Sequence, residues 1–144
     1  METYYGRVRT PHDAIKLFEA CRQGILPRVL RRLSEQERRR AIRPGSVFVW
    51  DEREAGMRRW TDGMPWSPSR VSGSFLTYRE LEGKGRGEKA GGLIKQSFSI
   101  TTSAGQHLHL ISYYHHHARP QADLPLPLPL PTTDPRLKIR PALM

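Results

Sequence analysis

The run Arg58-Arg59-Trp60-Thr61-Asp62-Gly63-Met64-Pro65-Trp66-Ser67-Pro68-Ser69-Arg70 gathers cations, short hydroxyls, two tryptophans, a glycine and two prolines into one segment. The chemistry those types suit is recognition of a polyanion. Arg58, Arg59 and Arg70 can meet phosphates or enter a narrow minor groove, where the negative potential is deepest. Thr61, Ser67 and Ser69 can donate hydrogen bonds to phosphate oxygens. Gly63 permits close backbone approach. The segment follows neither a helix nor a strand period, so it reads as a surface loop. Trp60 and Trp66 could stack on bases as in single-strand binders. The favoured reading is that they anchor the loop and fix its shape.

Other chemistries find less support. Cys21 has no distinctive motif around it and sits at helical spacing with Ala14, Leu17 and Phe18, as a small buried apolar residue would. The acidic residues fall in charged turns and helix starts, without a nucleophile-and-base pattern, so the chain reads as no enzyme. His107 and His109 would share a strand face, but no cysteine pair or HExxH accompanies them or His115, His116 and His117. A sheet-surface pair and a polar run explain them, and no metal or cofactor is expected. Gly83, Gly85 and Gly87 lack both the leading strand and the Gly-Lys-Ser/Thr of a phosphate loop.

The elements around the loop can be placed from local signals. Tyr4 to Arg9 alternates as a short strand. Thr10 as N-cap, Pro11 at the first helical position and Asp13 in the first turn open a helix whose apolar face is Ala14, Leu17, Phe18 and Cys21, with Gly24 as its stop. Ser34-Glu35-Gln36-Glu37 is a capping box for a second helix, Glu35 to about Ile42, ended by Pro44-Gly45. Arg31, Arg32, Arg38, Arg39, Arg40 and Arg43 make that region basic, as a solvated face or as a phosphate contact. Val47 to Trp50 is a strand closed by a charged turn over Asp51 to Glu54 and Gly56. Phe75 to Leu81 is another strand. Glu82 to Gly92 is a Gly-, Lys- and Glu-rich flexible linker. Leu93 to Thr101 alternates best, with Ile94, Gln96, Phe98 and Ile100 on one side and Lys95, Ser97, Ser99 and Thr101 on a polar side. Thr102 to Gly105 turns it into a hairpin with His107 to Tyr114. After Arg119 the Leu-Pro alternation over 124–131 cannot enter a sheet interior and lacks PxxP spacing; a disordered Pro/Leu-rich tail over 117–144 is expected.

A chain of 144 residues with 37% hydrophobic residues allows one domain with a modest core. Its formal charge of +10 favours nucleic acid or another anionic surface as partner. The single cysteine fits a reducing compartment. No start resembling a signal peptide and no apolar run near the ~20 residues a bilayer needs are present, so a soluble intracellular protein with no membrane partner is expected.

On these residues the sequence resembles the WOPR (Gti/Pac-type) family of fungal transcriptional regulators, which control morphological switching and sporulation. Ser46-Val47-Phe48-Val49-Trp50-Asp51-Glu52, Arg59-Trp60-Thr61-Asp62-Gly63, Trp66-Ser67-Pro68-Ser69-Arg70 and Phe75-Leu76-Thr77-Tyr78-Arg79-Glu80 resemble its first box in order and spacing. Gly92-Leu93-Ile94-Lys95-Gln96 and His109-Leu110-Ile111-Ser112-Tyr113-Tyr114 resemble its second. The resemblance implies one α+β domain over 1–116, an antiparallel sheet built from both boxes (4–82 and 92–115, joined by a linker at 83–91) with a few short helices. It implies a nuclear regulator that binds double-stranded DNA and reads an A/T-rich site through the minor groove, with no small-molecule substrate. Its DNA-binding residues carry over to Arg59, Thr61, Asp62, Gly63, Trp66, Ser67, Ser69 and Arg70, Lys95 follows from the second box, and Arg58 joins them on its charge within the loop. Asp62 is expected to hold the loop by accepting hydrogen bonds from its backbone or an arginine, because a bare carboxylate is repelled by DNA. Met64 stands where a basic residue is common in the family.

Two segments, Arg31-Arg32-Leu33-Ser34 and Arg58-Arg59-Trp60-Thr61, fit the pattern read by a basophilic protein kinase, which makes Thr61 and Ser34 phosphorylation candidates. Two other functional readings stand beside duplex binding. One is a shortened family member acting as a protein-interaction adaptor with weak or no specific DNA binding. The other is single-strand or RNA binding through stacked tryptophans.

Overall fold

The computed structural model describes residues 1–83, 86–115 and 139–141. Its elements in chain order are β1 (Tyr4–Tyr5), α1 (Pro11–Arg22), α2 (Glu35–Ala41), β2 (Ser46–Asp51), α3 (Glu52–Ala55), β3 (Arg70–Ser72), β4 (Phe75–Arg79), β5 (Leu93–Thr102), β6 (His107–His115) and β7 (Ile139–Pro141). One antiparallel sheet runs β1-β2-β6-β5-β4-β3, and β7 lies beside β5 off that path. The architecture is the expected single α+β domain, with strands from both boxes interleaved: β2 of the first pairs with β6 of the second, and β4 with β5.

Alternation along the central strands divides the interior into two cores. Val47, Val49, Phe98, Ile100 and Leu110 point to one face, where Ala14, Leu17, Phe18 and Cys21 of α1 cover them. Phe48, Trp50, Ile111 and Tyr113 point to the other, covered by Val29, Leu33, Met57, Trp60 and Trp66. β2 is thus buried on both sides, which accounts for its unbroken apolar run from Val47 to Trp50.

The capping signals are used as read. The Thr10 hydroxyl accepts from the Asp13 amide while the Asp13 carboxylate accepts from the Thr10 amide. Ser34 and Glu37 do the same for α2. The hairpin of β5 and β6 pairs Ile94 with Tyr114 through to Thr101 with His107.

Four expectations need correction. The strand expected over Tyr4 to Arg9 stops at Tyr5: the Gly6 amide turns to the Gly45 carbonyl, and Val8 leaves to join the α1 core. The turn expected over Asp51 to Glu54 is a single helical turn, α3. The Asp51 carboxylate caps it by accepting from the Arg53 and Glu54 amides, and Gly56 closes it at φ +66°. The end of the loop is itself a strand, β3, folded onto β4 across Gly73-Ser74 with Arg70 opposite Thr77. The linker is pinned where it is described: Leu81 bridges Glu88, and the Glu82 amide donates to the Gly87 carbonyl.

The expected disordered tail falls almost wholly outside the described residues, with its Leu-Pro run and His116 and His117. Within it, residues 139–141 differ from that expectation: they form β7, paired with Ile100 to Thr102 of β5.

Candidate nucleic-acid interface

The loop from Arg58 to Arg70 crosses the aromatic face of the sheet and is tied down at both ends. At its start, Met57 is buried and its carbonyl accepts from Trp50 Nε1 at 3.0 Å. At its end, the Ser67 amide donates to the Arg79 carbonyl at 2.9 Å, and the Arg79 amide donates back to Ser67 Oγ at 3.0 Å. Pro65 contributes its carbonyl to the Leu81 amide at 3.0 Å. The loop is stapled along β4.

Its centre is organised by Asp62, only 8% exposed. Asp62 Oδ2 accepts from the Tyr113 hydroxyl at 2.7 Å and faces Lys95 Nζ at 3.2 Å. Asp62 Oδ1 accepts from Trp66 Nε1 at 2.9 Å and from the Met64 amide at 3.1 Å. The last bond bends the chain in an Asx turn over Gly63, whose φ of +75° favours glycine. Tyr113 in turn accepts from Trp60 Nε1 at 2.7 Å. Lys95 Nζ also lies 4.6 Å from the Trp66 ring centroid and 4.9 Å from that of Tyr78. Burial lowers the Lys95 pKa from its ordinary value while the Asp62 charge opposes that shift. Burial, and then the same carboxylate, push the Tyr113 hydroxyl well above the usual phenol range. Tyr113 is therefore a neutral donor at any ordinary pH.

The tryptophans are supports. Trp60 stacks on Trp50 with centroids 5.1 Å apart and tilts against Phe48 at 4.8 Å. Trp66 meets Tyr113 at 6.1 Å. Both indoles are half-buried, with their N–H groups bonded to Tyr113 and Asp62.

The structure sorts the expected site residues into two sets. Arg58, Arg59, Thr61, Gly63, Ser69 and Arg70 are exposed. Asp62, Trp66, Ser67 and Lys95 face inward and hold the loop. Lys95 lies 8% exposed on the sheet side expected to be polar, and its ammonium is consumed by Asp62 rather than offered to solvent. The partner anticipated for Asp62, backbone or an arginine, is met by the Met64 amide together with a lysine, a tyrosine and a tryptophan. Ser34 is exposed, with its hydroxyl engaged in the α2 cap.

Outward from the loop, Arg58 and Arg59 border a cleft of about 370 Å³ against the sheet, floored by Tyr78, Ser97, Ser99 and His109. His109 stacks on Trp50 at 5.0 Å, and its two ring nitrogens engage Glu52 at 2.9 Å and Ser99 at 2.7 Å. Glu52 is drawn below the usual carboxylate range mainly by that His109 bond, and Arg58 lies 3.5 Å from it. Sequence reasoning missed Tyr113 as a loop anchor and Arg32 as a loop contact: Arg32 Nη1 donates to Thr61 Oγ1 at 2.7 Å.

The aromatic face of the sheet holds the cationic loop in a fixed shape, with Gly63 exposed at its tip. Comparison with known proteins identifies the family. Residues 3–91 match the Gti1/Pac2 family, and the chain belongs to it. It is 51% identical to the cAMP-independent regulatory protein pac2 of Schizosaccharomyces pombe, over 78% of this chain and 70% of that protein. It is 46% identical to the global transcription regulator sge1 of Gibberella moniliformis over 72% of this chain, but spans only 32% of that relative. The fold matches the WOPR domain of Wor1 from Candida albicans, solved in complex with a 13-base-pair double-stranded DNA, with a TM-score of 0.82 and 35% identity over 95% of this chain and 94% of that one.

Proposed function

We propose that this chain is a sequence-specific double-stranded DNA-binding transcription regulator of fungal development that acts in the nucleus and reads an A/T-rich site by placing the 58–70 loop in the minor groove. The observation that carries the reading is the division of labour within the loop. The inward groups are satisfied by Asp62 and its partners and, at Ser67, by Arg79, so the backbone that presents Arg59, Thr61 and Gly63 is already held when a ligand arrives. Arg59 has no carboxylate partner among the described residues and suits the deep negative potential of a narrow A/T minor groove. One relative is named a regulatory protein and another a global transcription regulator, and the Wor1 domain was solved on duplex DNA, which supports the same reading. The buried tryptophan contacts disfavour the single-strand alternative.

Selection from a random duplex pool at moderate salt tests it. The wild-type chain should enrich A/T-rich sites. Arg59→Ala should fold normally and lose that preference, with roughly 5- to 150-fold weakening, about 1–3 kcal/mol, as expected for one base-reading arginine. Unchanged enrichment by Arg59→Ala would remove Arg59 as the reader, and no enrichment by wild type would favour the adaptor reading.

A phosphate on Thr61 would add nearly two negative charges at the loop tip, beside Arg32, and oppose duplex binding.

A further inference from the structure

The basic region around α2 is not uniformly solvated charge. Arg28, Arg31, Arg39 and Arg43 each meet a carboxylate, that of Glu54, Glu37, Glu35 and Glu2 respectively. Arg32, Arg38 and Arg40 meet none among the described residues, and the first two lie against the loop. Arg32 donates to Thr61 Oγ1. The Arg38 guanidinium lies 3.5 Å from where a Cβ on Gly63 would stand. Neither of the two arginines that flank the loop tip is neutralised by a carboxylate, whereas Arg28, Arg31, Arg39 and Arg43 are.

Position along the sheet adds to this. α2 sits at the Tyr113 end of β6: the Ser46 hydroxyl donates to the Ala41 carbonyl, and the Gly45 amide donates to the Tyr113 carbonyl. Arg58 sits at the other end, beside the Glu52 that pairs with His109. Four residues of strand separate His109 from Tyr113, about 13 Å at the usual rise. The Thr61–Gly63 tip thus has Arg32 and Arg38 against it at the Tyr113 end, while Arg58 stands toward the His109 end. A minor groove about 6 Å wide is bordered by two phosphate ribbons, one from each strand. A probe seated in it meets anions on both sides.

We propose that Arg32 and Arg38 bind phosphates of one DNA strand while Arg58 faces the other, with Arg59 reading the groove between them, so that the interface is a two-sided clamp across the groove. This rests on the minor-groove reading above. On it, Arg32 and Arg38 set register and affinity and carry no base preference, since phosphate contacts position and base contacts specify.

The test uses the full chain and an A/T-rich duplex in which methylphosphonates neutralise the phosphates bordering the groove on one strand at a time. The wild type should weaken on either neutralised duplex. The double variant Arg32→Ala with Arg38→Ala should keep the wild-type circular dichroism spectrum, bind about 10- to 100-fold more weakly, and lose about two from the slope of log K against log salt. It should also become indifferent to neutralisation of one strand while still responding to the other. Arg32→Lys with Arg38→Lys should restore the slope, which a purely structural role for the two side chains would not predict. A double alanine variant with the wild-type slope and undiminished response to both strands would overturn the clamp and leave the minor-groove reading standing. A wild type that binds no duplex would overturn both.

Discussion

The two faces of the sheet are built by different physics. Beneath α1 the core is almost wholly apolar, with Val47, Phe98, Ile100 and Leu110 packed on Leu17 and Phe18. Beneath the loop, Phe48, Trp50 and Trp60 surround a buried carboxylate, an ammonium and a phenol. Apolar burial stabilises a fold without directing it, because it is proportional to area and indifferent to orientation. Hydrogen bonds to a buried charge are directional, and leaving one unmade is costly. The α1 face therefore supplies stability, and the loop face supplies shape. The difference explains why an acidic residue sits at the centre of a surface otherwise suited to a polyanion: Asp62 is turned inward, and its charge is met by Lys95.

The strongest way to break this contrast is Asp62→Ala. It leaves Lys95 buried without its partner, and should cost about 3–5 kcal/mol in denaturant unfolding as well as abolish duplex binding. Full binding by a folded Asp62→Ala chain would end the claim that Asp62 sets the loop. On the opposite face, Leu17→Ala should cost about 2–5 kcal/mol through cavity formation. Its folded molecules should bind duplex with wild-type affinity, since no loop contact is touched. A change in binding beyond the loss of folded fraction would show the two faces to be coupled. The smallest effect is expected from Thr61→Glu, which alters the outer surface alone. It should fold normally and weaken duplex affinity by about 1–2 kcal/mol through local repulsion, and less so at high salt. Wild-type affinity at low salt would remove Thr61 as a regulatory position.

What the sequence discloses follows the range of the interactions. Thr10 with Asp13 and Ser34 with Glu37 are local signals, legible because each cap closes within four residues. The β5–β6 hairpin is legible from alternation and one turn. β3 carries a readable signal, Gly-Ser between Ser72 and Phe75, but Arg70 and Ser72 flank an exposed Val71 and give no apolar face to notice. Lys95 illustrates the limit. Alternation puts it on the polar side of β5, and only the fold shows that Asp62, 33 residues earlier, turns that side into an interior. The loop's role as a presented segment is visible in its residue types. Its anchoring by Tyr113, 51 residues beyond Asp62, and its flanking by Arg32, 29 residues before Thr61, are properties of packing alone.

The placement of the indoles has a practical corollary. All three tryptophans of the chain, Trp50, Trp60 and Trp66, lie on the loop face, and none lies under α1. Intrinsic fluorescence is therefore a spatially selective gauge, and the stacked Trp50 and Trp60 rings, 5.1 Å apart, are close enough to couple their electronic transitions. The molecule carries an optical reporter of the loop's own integrity that requires no label.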